Sequence, residues 1–91
     1  MKIIEIVVNE ENELYNYIDT VDEGDYIEAY FGRCHLEGTV ISKDGTFFRL
    51  DSDNDLIGLV ELELSKVVND LIEFVHTKSD GSTKTILKTV E

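Results

Sequence analysis

A chain of 91 residues is long enough for one hydrophobic core and too short to divide between two, so a single domain is expected over residues 1–91. Asp and Glu number 20 against 8 Lys and Arg, a formal charge of −12 that would repel nucleic acid and anionic membrane. A hydrophobic fraction of 42% with four Tyr and four Phe excludes disorder, and a single cysteine excludes an intramolecular disulfide, which suits a reducing cytoplasm.

KIIEIVV (2–8) reads as a first strand by its β-branched content. Glu5 interrupts a run already too short for a signal peptide, and nothing later approaches the ~20 apolar residues of a membrane span. Asn9 is the expected cap of a short helix, EENELYNYIDTV (10–21), with Leu14, Ile18 and Val21 at helical spacing. Glu10, Glu11 and Glu13 suit the positive end of its dipole, so part of that acidity has a local explanation. DEGD (22–25) breaks the helix at Gly24.

DYIEAYF, CHLEGTVIS, TFFRLDS and LIGLVELEL follow as strand-like runs separated by FGR, KDG and DND, the rhythm of an antiparallel meander. SKVVND suggests a helical turn, and LIEFVHT and TKTILKTV flank KSDGS, a hairpin signal. The expected class is α+β, mainly β: an antiparallel curved sheet or a small barrel with one short N-terminal helix and a C-terminal hairpin. GRCHLEGTVISKD, with bend-forming Gly32 and Gly38 and Asp44 after the strand, resembles the small barrels of the Sm-like and SH3-like kind over residues 10–76. Gly45, Thr46 and Phe47 stand where Sm-like RNA binders carry an asparagine, so the resemblance implies a fold and not RNA binding.

RLDSDNDLIG (49–58) matches the first half of a calcium loop at Asp51, Asp53 and Asp55, but Leu56 replaces the turn-forming Gly and Leu62 the bidentate Glu. Cys34 and His35 are strand neighbours that point to opposite faces, and no second cysteine joins them and His76 in a zinc set. The bland reading is a buried Cys and a surface His. Phosphate loops and Ser-His pairings are missing, so neither a cofactor nor an enzyme is expected. Tyr15, Tyr17, Tyr26, Tyr30 and Phe31 lack the basic neighbours of a single-strand binder and read as core or half-core residues.

What remains is the distribution of charge. Residues 1–63 carry 16 acids and 4 bases, whereas residues 64–91 carry 4 of each. Nine acids and no base lie between Ile3 and Gly32, among them Asp19, Asp22, Glu23, Asp25 and Glu28. In a strand, alternate residues share a face at about 6.6–6.8 Å, close to the spacing of backbone phosphates. Glu61 and Glu63 fall on one face of VELEL, and Asp51, Asp53 and Asp55 extend the row if the strands do.

With its acid tract and the rows DSDND and VELEL, the chain resembles the small acidic DNA-mimic inhibitors of Bacillus lytic phages, most of all those directed at the nucleoid protein HU. That resemblance implies a basic DNA-binding protein of the bacterial host as partner, in the host cytoplasm, with those five carboxylates in contact. Glu10, Glu11 and Glu13 with the turn acids Asp22, Glu23 and Asp25 would form a second patch. A homodimer through the neutral hairpin 71–90 would match a two-fold target. The other reading is a small-barrel protein-interaction module whose acidity serves only solubility.

Overall fold

The computed structural model describes residues 1–52 and 56–89. Seven strands form one mixed sheet: β1 (Lys2–Val8), β2 (Tyr26–Phe31), β3 (His35–Asp44), β4 (Phe47–Asp51), β5 (Leu59–Glu63), β6 (Leu71–Thr77) and β7 (Thr83–Thr89). Two short helices accompany them, α1 (Glu11–Ile18) and α2 (Leu64–Val67), the latter running into a single 3-10 turn at Val68–Asp70. The mainly-β expectation with a curved sheet holds, but the sheet does not close into a barrel.

The meander β2–β3–β4–β5 forms as the turn signals indicate. Asp44 pairs with Phe47 across a two-residue loop whose first member, Gly45, has φ +61°, a conformation that glycine enters without strain. Closure would require β5 to return beside β2. Instead β6 takes that edge of β2, β7 folds back on β6, and β1 adds outside β7 as the one parallel pair, giving the order β1-β7-β6-β2-β3-β4-β5. Both edges of the β6–β7 hairpin are therefore occupied, and it offers only a sheet face to a second copy.

Period-two alternation puts Ile27, Ala29, Val40, Phe48, Leu50, Leu62, Phe74 and Leu87 on the inner face, where Leu14 and Ile18 of α1, one turn apart, complete the core. Curvature is visible in the aromatic contact of Phe48 with Phe74, whose ring centroids are 6.4 Å apart. Their strands are three places apart in the sheet, about 14 Å if it were flat. The sheet curls to bring these rings together.

Glu10 rather than Asn9 occupies the N-cap position of α1, and its side chain makes no capping bond. At the other end, Lys43 Nζ donates to the carbonyls of Ile18 (2.7 Å) and Val21 (2.9 Å). One of the few bases of the acidic segment is thus spent on carbonyls at and just beyond the negative end of a helix.

The two glycines singled out as bends differ in kind. A Cβ on Gly38 would lie 2.7 Å from the Asp51 carbonyl oxygen and 3.1 Å from Leu50 Cβ, a clash with backbone that cannot swing aside, whereas one on Gly32 would meet nothing within 4 Å. Gly38→Ala is expected to lower stability by about 1–3 kcal/mol, the usual cost of overpacking, and Gly32→Ala to change it by less than about 0.5 kcal/mol. Urea denaturation of the two variants checks the contrast.

Candidate functional site

The carboxylates proposed from the sequence separate into distinct environments. Asp53 and Asp55 lie outside the described residues. Asp51 is exposed at the end of β4, opposite Leu59. Cross-strand register sets Arg49 against Glu61, and its guanidinium bonds that carboxylate at 3.1 Å. Glu63 turns to local work: it accepts from Thr46 Oγ1 (2.6 Å) and from the N–H and hydroxyl of Ser65, capping α2. The Thr46 and Ser65 bonds hold its pKa below the usual carboxylate range. Among the described residues of this face, Glu61 is thus held in an ion pair and Glu63 serves as a capping group.

Asp25 requires the largest correction. It is no turn acid on the surface but 1% exposed, because it stands just before β2 with its carboxylate beneath the β6–β7 turn. Its Oδ2 accepts from His76 Nε2 (2.7 Å), the Asp22 N–H (3.0 Å) and Lys78 Nζ (3.3 Å), and its Oδ1 from the Ser79 N–H (2.9 Å). Burial alone would push its pKa up, but the bonds from Asp22, His76, Ser79 and Lys78 outweigh it and hold Asp25 far below the usual carboxylate range.

With Asp25 ionised, His76 donates from Nε2, and its Nδ1 faces the Tyr17 hydroxyl at 2.7 Å. In the tautomer with its proton on Nε2, the His76 Nδ1 accepts a hydrogen bond from the Tyr17 hydroxyl. The chain Tyr17–His76–Asp25 has the order of a catalytic relay, yet Tyr17 lines neither of the clefts described below. What the network does is tie α1, the 22–25 turn, β6 and the β6–β7 turn together.

Of the other acids, Asp22 is exposed and pairs with Lys78 (3.2 Å). Glu28 is half-buried on the outer sheet face and accepts from the Tyr30 hydroxyl (2.8 Å). That bond, burial and the charges of Glu28, Glu37 and Glu73 push the pKa of Tyr30 up to about 12. His35 stacks on Tyr30 at 5.4 Å. Cys34 is exposed, not buried, because it ends the tight turn that returns β2 into β3. Among the described residues no group of three or more His, Cys, Asp or Glu is placed to hold a metal ion. Glu10, Glu11, Glu13, Asp19 and Glu23 are exposed, and none is in an ion pair among the described residues.

Two clefts adjoin on one side of the molecule. The first, about 350 Å³, has an apolar floor of Val8, Leu14 and Leu71 and a polar rim that includes Glu10, Glu11, Asn69 and Asp70. The second, about 590 Å³, is lined by Phe31, Leu36, Leu62 and Val67, with Arg33 and Cys34 from the β2–β3 turn. Asp70 and Ile72 belong to both. Ile72 is the extra residue of a β-bulge, where the β2–β6 register shifts between Tyr30↔Glu73 and Phe31↔Leu71, and it remains 54% exposed. Such a shift re-aims a side chain that alternation would otherwise bury. Sequence reading passed over Asp70 and Arg33 because their charges lie 37 residues apart and only the fold brings them to one cleft.

These features define a small mainly-β protein with an acidic surface and an adjoining pair of clefts. Residues 4–87 match the family DUF2097, described as an uncharacterized protein conserved in archaea, and the chain belongs to that family. A protein of Methanocaldococcus jannaschii, itself described as uncharacterized, is 34% identical over 83 residues, covering 91% of this chain and 93% of the relative. No solved structure matches the chain. This archaeal membership overturns the resemblance to phage-encoded DNA-mimic inhibitors of HU and the host-takeover reading that rested on it. Charge and length produced that resemblance, and neither carries ancestry. Among the described residues no helix is long and apolar enough to cross a membrane.

Proposed function

We propose that this chain is a non-enzymatic protein-interaction module whose partner presents a basic surface. The observation that carries the reading is the group of exposed carboxylates on and around α1, Glu10, Glu11, Glu13, Asp19 and Glu23, outside any ion pair among the described residues, in a chain of net charge −12. Self-repulsion of that size opposes compaction, and a basic partner relieves it. Complementary charge speeds encounter and rejects acidic competitors, while apolar contacts set the lifetime of the complex.

The reading is tested by affinity capture with the tagged full chain from cells of an archaeon that encodes this family, at about 50 mM and 500 mM salt, where the screening length falls from well above to well below 10 Å. The expected result is one stoichiometric basic protein retained at low salt and depleted at high salt. A stoichiometric acidic partner indifferent to salt, or no protein above the untagged control, would overturn it.

A further inference from the structure

Resting on that reading, we propose that the two adjoining clefts form one recognition groove for a partner segment in which a lysine or arginine lies close to a large apolar residue. A long cationic side chain is amphipathic, with an aliphatic stem that prefers apolar surface and a head that requires anions or water. The smaller cleft offers both. Ile72, 54% exposed, supplies accessible apolar surface beside a floor closed by the buried Val8, Leu14 and Leu71, and Glu10, Glu11 and Asp70 stand at its rim outside any ion pair among the described residues.

The larger cleft has the opposite character. Phe31, Leu36 and Val67 are half-buried apolar side chains packed against the core, so an apolar group entering there continues the core outward. Arg33 at its edge repels a second cation and accepts an acidic or carbonyl neighbour, which gives the groove a direction. Ile72 and Asp70, shared by the clefts, form the ridge that separates the two bound side chains. The acidic chain as a whole attracts basic proteins, and the groove selects among them by requiring the apolar neighbour.

The test is a titration of the ¹⁵N-labelled full chain with short blocked peptides carrying Lys and Leu adjacent or one or two residues apart, in both orders. At least one peptide is expected to give saturable amide shifts at Glu10, Cys34 and Asn69–Ile72. Norleucine for its Lys, or Ala for its Leu, should each weaken binding about fivefold, the scale of one modest contact. The triple variant Glu10→Gln, Glu11→Gln, Asp70→Asn should lose the preference for Lys over norleucine while keeping the wild-type spectrum elsewhere. No saturable shift at those amides, or equal affinity for Lys and norleucine peptides, would overturn the groove. If the triple variant still captures the wild-type chain's salt-sensitive partner undiminished, the groove falls and the general reading stands; failure of the wild-type capture removes the general reading itself.

Discussion

Asp25→Ala is expected to destabilise the protein by about 3–5 kcal/mol, because it removes the acceptor shared by several buried donors. The carboxylate accepts from the N–H groups of Asp22 and Ser79, from His76 and from Lys78. Alanine leaves the first three donors facing a void, and each buried donor without an acceptor costs about 1–3 kcal/mol. For a domain of this size, about 4–8 °C of Tm accompanies each kcal/mol. Asp25→Asn should cost less, because an amide oxygen at the Oδ2 position still accepts from His76 and the Asp22 N–H, and only the Ser79 N–H is left facing a donor.

The same residue sets a pH dependence. Asp25 titrates near 3.9 in the unfolded chain and lower in the folded one, so the unfolded state binds the proton first and stability rises with pH. Its contribution is fully present above the unfolded pKa and disappears as pH falls through the lower, folded value. Neutralising the exposed acids works the other way by relieving repulsion, so total stability mixes both effects. The difference between wild type and Asp25→Ala reports the first: it should shrink as pH falls below about 4. Urea denaturation across that range reads it directly.

Phe48→Ala is expected to cost about 3–5 kcal/mol, through lost transfer free energy and the cavity left between β4 and β6. Phe48 and Phe74 are both fully buried, and their contact joins strands three places apart. The core beneath is shared by α1 and the whole meander, so the site has little room to collapse. Ile3→Ala, at a position 63% exposed on the outer strand, should change stability by no more than about 0.5 kcal/mol. Thermal unfolding of the pair separates burial from hydrophobicity as such.

Much of the fold was legible because it is locally encoded. Leu14 and Ile18 mark a helix by spacing, Asp44-Gly45 and Asp80-Gly81 mark turns, and Val60, Leu62 and Leu64 alternate with Glu61 and Glu63. The position of β1 was not, since its pairing with β7 joins residues about 80 apart and depends on which edge the rest of the sheet leaves free. Nor was the fate of Asp25. In DEGD it is chemically equivalent to Asp22 and Glu23, and only the arrival of His76, 51 residues later, removes it from the surface.

The site was legible in sign and not in shape. Net charge sets an expectation against nucleic acid as a ligand, yet a phosphate-like row demands a register that sequence does not display, and Arg49 and Thr46 bond two of its carboxylates, Glu61 and Glu63. Asp70 and Ile72 fell in a stretch read as a helical turn and a strand start, with nothing local to show that a bulge would put Ile72 on a ridge.

The central claim is that the acidity serves recognition and not solubility alone. It is tested most directly by the slope of log Kd against log salt for the captured partner, measured with the wild-type chain and with the Glu13→Gln, Asp19→Asn, Glu23→Gln variant, whose positions line neither cleft. Steep weakening with salt is expected for the wild type, and a shallower slope with lower affinity for the variant. Equal slopes and equal affinities would contradict it.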